Sequence, residues 1–254
     1  MDLLQAIFLG IIQGLTEFLP VSSSGHLVIA QSLLPNFSQP GVLFDVILHG
    51  GTLLAVVVYF RKNILSLNSR MIILLILGSI PAGLAGFFFK DFFEALFLNP
   101  RLVAIALLFT GVMNWLVDGK KLKVKSEKSK SKGKLKWKDA MIVGVFQALA
   151  IIPGISRSGS TIFAGVFCGI SRTEAATFSF LLSIPAVGGA ILLQLTDYAG
   201  SSISYSSYFA GWLAALVVGY ISIGILMKLL RERRFRIFAI YCWVAGLTTL
   251  VLAR

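Results

Sequence analysis

The sequence predicts an all-α, polytopic membrane protein, an inverted-topology repeat in which each half holds one re-entrant helical hairpin plus three transmembrane helices. Three observations lead there. The 254 residues are 57% hydrophobic and 13% charged, with a mean hydropathy of +0.87. Soluble domains instead carry about 45–50% apolar and about 25% charged residues. Several apolar runs reach the roughly 20 residues that cross a bilayer. Finally, the chain matches itself at a constant offset of 134 positions. One membrane domain, 1–254, accounts for the whole length, with repeat 1 at about 1–118, a basic loop at about 119–138 and repeat 2 at about 139–254.

The hairpins come first in each half. The run from Leu3 to Leu34 is broken by Pro20-Val21-Ser22-Ser23-Ser24-Gly25, and the run from Ala140 to Ile170 by Pro153-Gly154-Ile155-Ser156-Arg157-Ser158-Gly159. Proline removes a backbone donor and disfavours helix in the residue before it. The arms on either side are about half the length of a span, so each run is read as a segment that enters the membrane and turns back. Six crossings follow, at approximately Val42–Tyr59, Met71–Phe89, Leu102–Val117, Thr173–Thr196, Tyr208–Leu230 and Phe235–Leu252. The offset pairs Gly10 with Gly144, Gln13 with Gln147, Ser22 with Ser156, Ser24 with Ser158 and Gly25 with Gly159. An odd number of crossings per half inserts the second half upside down, so the two polar turns enter from opposite faces and meet near the midplane.

The net charge of +12 excludes little by itself, but its placement does. Lys120 to Lys138 and Arg231 to Arg236 flank apolar runs, where topology signals sit, so a nucleic-acid partner is not expected. With the Lys120–Lys138 loop cytoplasmic, Arg61, Lys62 and Arg70 also fall inside. The nearly balanced loop with Lys90, Asp91, Glu94 and Arg101 falls outside, as do both termini. The Lys/Ser/Gly composition of Lys123 to Lys136 predicts a flexible loop. Phe87, Phe88, Phe89, Phe92 and Phe93 read as interfacial anchors. Cys168 and Cys242 show no disulfide or metal pattern. The N-terminus lacks a basic n-region and cleavage site, so Met1 onward is read as mature protein.

Ionisable residues inside a membrane are costly and mark functional sites; here they are Glu17, His26, Asp45, His49 and Arg157. Gln13 and Glu17, four apart, share a helix face, and their oxygens suit a hard cation such as Mg²⁺ or Ca²⁺. A polar pair between helices is the plainer account. Ser22, Ser23, Ser24 and Gly25 in one turn, and Ser156, Ser158 and Thr161 in the other, present hydroxyls and helix-start N–H groups that favour anions. Such small residues also permit close helix packing. Arg157 between two serines tips the balance, because a buried guanidinium needs an anion. His26 fits a general acid or base beside the serines, whereas His49 reads as a helix-contact residue and Asp45 as a supporting group. Arg172 and Glu174 are explained by helix capping from Ser171. The set suits hydrolysis of a phosphoanhydride on a lipid.

At these residues the sequence resembles the bacitracin-resistance family of undecaprenyl-diphosphate phosphatases. One signature is Gln13-Gly14-Leu15-Thr16-Glu17-Phe18-Leu19-Pro20-Val21-Ser22-Ser23-Ser24-Gly25-His26; the other is Pro153-Gly154-Ile155-Ser156-Arg157-Ser158-Gly159-Ser160-Thr161. The resemblance covers essentially the whole chain. It implies removal of the terminal phosphate from undecaprenyl diphosphate, giving the carrier lipid of peptidoglycan synthesis, and bacitracin resistance when abundant. It also implies an interlocked inverted-repeat fold, a site opening to the outer face of the bacterial cytoplasmic membrane, and dependence on Mg²⁺ or Ca²⁺. By position, Glu17, Ser23, His26 and Arg157 match the family's catalytic residues, with either Ser23 or His26 as nucleophile. Gln13 takes the amide option where the family also uses an acid. The expected partners are a polyprenyl diphosphate lipid and the membrane, with a homodimer left open. Two other readings compete. A Ser-Gly-His lipid phosphatase is suggested by Ser24-Gly25-His26, but no histidine follows His49. A lipid transporter or flippase would share the broken helices.

Overall fold

The computed structural model describes residues 1–34, 43–97, 99–119, 135–196 and 204–252. The described residues form helices alone. Most of the basic loop, the start of the first expected crossing at Val42 and most of the segment from Tyr198 to Tyr208 lie outside them.

The first hairpin is α1 (Leu3–Phe18) and α2 (Ser23–Leu33). Asp2 caps α1 in a capping box with Gln5. Leu19 and Pro20 end the helix in extended and turn conformation, and Ser22 restarts the chain at φ 70. The second hairpin is α8 (Trp137–Leu149) and α9 (Arg157–Phe167), with Gly154 at φ 93 in its turn and Ser156 capping α9 through Gly159 N–H. The arms run 16, 11, 13 and 11 residues, short of the roughly 20 of a full span.

Between them lie α3 (Leu43–Tyr59), α5 (Ser69–Phe88) and α7 (Pro100–Val117). After them come α10 (Arg172–Thr196), α11 (Tyr205–Arg231) and α12 (Arg236–Leu252). By length and composition α5, the Arg172–Leu192 part of α10 and α11 are long and apolar enough to cross a membrane, and α3, α7 and α12 are shorter apolar helices. Asn68 caps α5, Asn99 caps α7 ahead of Pro100, and Ser204 caps α11. Ser171 and Glu174 make the expected reciprocal cap. Two short helices were not expected: α4 (Arg61–Leu65) and α6 (Lys90–Phe97). Of the five phenylalanines expected as anchors, Phe87, Phe88, Phe89 and Phe92, around the junction of α5 and α6, are more than half exposed, and Phe93 is half-buried.

The first arm of each hairpin packs across the chain, while α9 also lies on its neighbour α10. α1 lies on α11, and α8 lies on α5. Both contacts are backbone-close. A Cβ on Gly10 or Gly14 would collide with α11 at Gly211 and Gly219, and one on Gly144 would collide with α5 at Gly78 and Pro81. Small residues of this kind let membrane helices approach. α3 packs on α10 and α11, α5 on α10, and α7 on α12. One large core, including Phe18, Phe60, Phe180, Leu226 and Phe235, is contributed by both halves.

At one end of the bundle a buried cluster ties three helices. The Asp118 carboxylate, just past α7, accepts from the backbone N–H of Phe235 and Arg236 at 2.6 and 3.1 Å, capping α12. Its other oxygen lies 3.4 Å from Arg172 Nε at the start of α10, and both side chains are 5% exposed. Arg172 Nε also donates to the Val117 carbonyl at 3.2 Å. Arg172, read from sequence as explained by capping, is thus half of a buried ion pair.

Candidate active site

The two polar turns meet. A Cβ on Gly25 would lie 3.8 Å from Gly154 Cα, and one on Gly159 would lie 3.2 Å from Pro20 Cβ, so each turn's glycine is pressed against the other turn. Helix α7 fastens both. Asn114 Nδ2 donates to the Pro20 carbonyl at 2.6 Å. Thr110 Oγ1 donates to the Gly154 carbonyl at 2.9 Å and accepts from Ser156 N–H at 3.0 Å. These bonds give the turn backbone partners that neither hairpin supplies. Neither Thr110 nor Asn114 stood out in the sequence, since a single polar residue on an apolar helix is common.

Glu17 is the hub. Near the end of α1 and 8% exposed, its carboxylate takes Arg157 Nη2 on Oε1 at 2.5 Å. On Oε2 it accepts from Ser23 Oγ at 2.6 Å and Gln13 Nε2 at 3.1 Å. His49 Nε2 stands 3.7 Å from the same oxygen. The expected Gln13, Glu17, Ser23 and Arg157 are therefore one cluster, assembled from both turns. Two atoms in it are buried without a partner: Gln13 Oε1 and Arg157 Nη1. A guanidinium NH₂ facing no acceptor, joined through Cζ to a satisfied one, is the donor an anion would take.

His49, read as a helix-contact residue, belongs to this cluster. Its Nδ1 donates to the Asp45 carbonyl at 2.7 Å, which turns Nε2 toward Glu17. The Asp45 carboxylate accepts from Gln31 Nε2 at 2.9 Å. The sequence placed His49 on the apolar α3 with nothing to say that α3 faces Glu17.

His26 sits one turn into α2 and makes no hydrogen bond to Glu17, Ser23 or Arg157. Its Nδ1 lies 2.8 Å from the Ser22 carbonyl and its Nε2 2.6 Å from Tyr241 Oη, with the two rings stacked at 5.6 Å and 17°. A carbonyl only accepts, so Nδ1 carries the hydrogen, and Nε2 of the neutral ring accepts from the Tyr241 hydroxyl. Tyr241, on α12, had no local sequence signal.

The remaining hydroxyls expected to hold substrate are already engaged. Ser22 and Ser24 lie 3.3 Å apart through their Oγ atoms, as do Ser156 and Ser158 at 3.2 Å. Ser156 Oγ accepts Gly159 N–H, and Ser158 Oγ reaches the Leu19 carbonyl at 3.4 Å, another link between the turns. Thr161 Oγ1 pairs with Ser179 Oγ at 2.5 Å.

Among the described residues no group of three or more His, Cys, Asp and Glu side chains could hold a metal ion. The donor set here is smaller: one carboxylate, Glu17, and the orphaned amide oxygen Gln13 Oε1. Mg²⁺ is commonly held by one or two protein oxygens with substrate phosphates and water completing its shell, so the residues present fit such an ion once a diphosphate is bound.

Residues 6–248 match the family model described as Bacitracin resistance protein BacA. An undecaprenyl-diphosphatase of Syntrophotalea carbinolica is 48% identical, over 97% of both chains. Proteins of the same name from Carboxydothermus hydrogenoformans and Methanosphaera stadtmanae are each 40% identical, over 99% and 100% of this chain and 98% and 99% of their own lengths. The chain belongs to the BacA bacitracin-resistance family.

Proposed function

We propose that the protein hydrolyses undecaprenyl diphosphate to undecaprenyl phosphate and inorganic phosphate, recycling the carrier lipid and conferring bacitracin resistance. The observation that carries this reading is Arg157: half its fork is anchored on Glu17, and Nη1 is buried with no acceptor. That is a seat for a phosphate oxygen inside a membrane protein whose relatives carry the name undecaprenyl-diphosphatase.

The chain's own groups supply the chemistry. Ser23 Oγ already donates its proton to Glu17, so Glu17 serves as the base while Ser23 Oγ attacks the terminal phosphorus. The Oγ–P bond forms, the P–O bond to the bridging oxygen breaks, and undecaprenyl phosphate leaves. Water then attacks the phosphoserine, Glu17 returns its proton to Ser23 Oγ, and the water's second proton leaves with the phosphate. Arg157 Nη1 stabilises the charge on the transferring group. His26 is the weaker nucleophile here, since both its ring nitrogens are engaged. A Mg²⁺ or Ca²⁺ ion held by Gln13 Oε1 and Glu17 would neutralise diphosphate charge when bound.

The same reading sets the protein in the bacterial cytoplasmic membrane, multi-pass, with the site open to the outer side, both termini outside and the halves in opposite orientation. Exchange of partners supports the inverted repeat. Moving α1, α3 and α11 onto their counterparts α8, α10 and α5 turns the pair α1–α11 into α8–α5 and α3–α11 into α10–α5, and both sets occur. The cations of Arg61, Lys62, Arg70 and Arg231 to Arg236 flank the ends assigned to the inside.

The test is phosphate release from a polyprenyl diphosphate by protein purified in detergent. We expect Arg157→Ala and Ser23→Ala to lose at least about a hundredfold. Unchanged release in both variants would remove the site. No release by wild type, with movement of labelled lipid between leaflets, would favour transport.

A further inference from the structure

We infer that Tyr241 is a positioning residue that acts through His26 to hold the turn presenting Ser23, and that His26 serves this clamp and does not attack phosphorus. The inference rests on the proposed hydrolysis for its kinetic consequences, but its geometry stands by itself.

The turn needs a clamp. Ser22 carries φ 70 and ψ 97, outside any helix or strand, and glycine is the residue that adopts positive φ without cost. Ser23 follows at once as the first residue of α2, so the Ser22 backbone sets the direction in which Ser23 Oγ leaves the chain toward Glu17. A non-glycine residue in such a conformation persists only where its surroundings over-determine it.

His26 grips the Ser22 carbonyl twice, from its backbone N–H at 3.3 Å and from ring Nδ1 at 2.8 Å. The ring would be free to rotate away were its far side open. Instead Nε2 accepts from Tyr241 Oη at 2.6 Å, and the tyrosine ring stacks on the imidazole. Tyr241 reaches in from the lipid-facing side of α12, where its flanking Ile240 and Val244 are more than half exposed. Among the described residues His26 is the hydroxyl's hydrogen-bond partner, and an unmet hydroxyl in that apolar setting is costly, which makes the bond directional and persistent. The chain of contacts runs Tyr241, His26, Ser22, Ser23, Glu17. It couples the last helix to a turn more than 200 residues earlier, at a separation of 215 for the Tyr241–His26 bond. In this arrangement neither imidazole nitrogen has a lone pair to offer substrate.

Two substitutions separate this from a chemical role for His26. Asn at position 26 places an amide N–H where Nδ1 stands, so it keeps the grip on Ser22 but supplies no base or nucleophile. We expect His26→Ala to lose a hundredfold or more in kcat, as roughly 1 Å of misplacement can. His26→Asn should recover to within about tenfold of wild type, with KM for polyprenyl diphosphate unchanged. Tyr241→Phe keeps the stacked ring and loses only the hydroxyl; kcat should fall roughly three- to tenfold at constant KM, the worth of one neutral hydrogen bond. In a His26→Ala background the same change should cost nothing more. ¹⁵N spectra of the labelled imidazole in detergent micelles give a readout free of catalysis: Nδ1 protonated in wild type, and only the Nε2 resonance moved by Tyr241→Phe. An Asn variant as inactive as the Ala variant, additive losses in the double variant, or an unmoved Nε2 resonance would each overturn the inference. A wild type with no hydrolytic activity but the expected spectra would sink the proposed function and leave the clamp standing.

Discussion

The Asp118 cluster offers the sharpest stability prediction. Asp118→Ala removes the cap of α12, where Asp118 accepts two backbone N–H groups, and loss of a cap typically costs about 1 kcal/mol. The larger effect falls on Arg172. Only 5% of its side chain is exposed, and the facing carboxylate would be gone. Removing one partner of a buried pair costs about 3–5 kcal/mol, because the other charge stays in low dielectric. Its remaining bond to the Val117 carbonyl holds one N–H but neutralises nothing. We therefore expect a loss of about 4 kcal/mol, which for a chain of this size lowers the midpoint of thermal unfolding by about 10 °C. The assay is tryptophan fluorescence of protein in a mild detergent, with size-exclusion profiles to confirm monodispersity before heating. The double variant Asp118→Asn/Arg172→Met, which keeps an acceptor for α12 and removes the orphaned charge, should recover most of the loss. An Asp118→Ala midpoint within about 2 °C of wild type would refute the reasoning, since neither the cap nor the pair would then carry weight.

Three further outcomes are expected. Asn114→Leu removes the amide donor to the Pro20 carbonyl and leaves it the weak Cys242 thiol at 3.5 Å, so it should destabilise by about 1–3 kcal/mol; kcat should drop more than KM rises in steady-state kinetics. Gly154→Ala places a Cβ at φ 93 against the Val103 carbonyl, so its midpoint should fall further than that of Gly83→Ala, where nothing lies within 4 Å of an added Cβ. Chelation of divalent ions should abolish phosphate release, and Gln13→Ala should raise the Mg²⁺ concentration giving half-maximal rate; an unchanged metal titration would exclude Gln13 Oε1 as a ligand.

Much of this was legible from residue order alone. Pro20 and Pro153 inside apolar runs announced both hairpins, because each stands beside a cluster of Ser and Gly that helix disfavours, whereas Pro81 and Pro185 lie within the continuous helices α5 and α10. Spacing of four put Gln13 and Glu17 on one face, and the structure keeps them bonded. Arg157 among serines pointed to an anion, but not to Glu17 as its ion-pair partner. What stayed hidden depends on which helix faces which. His49 joins the cluster only because α3 lies beside the end of α1. Tyr241 reads as one more aromatic on a lipid-facing helix until α12 is placed next to α2. Arg172 and Asp118 are separated by two helices, and the capping of α10 explained Arg172 without need of a partner. The short helices α4 and α6, of 5 and 8 residues, are too brief to show a period.

The pairing of Glu17 with an arginine 140 residues downstream constrains how the molecule is made. A ribosome releases the first hairpin with an acid destined for a buried site and its arginine counter-ion not yet in existence. Until Arg157 is translated, that carboxylate is better accommodated near water, so the amino-terminal hairpin should rest shallow and sink only when the carboxy-terminal one arrives. The ion pair thus comes late, when two charges from opposite halves of the chain meet.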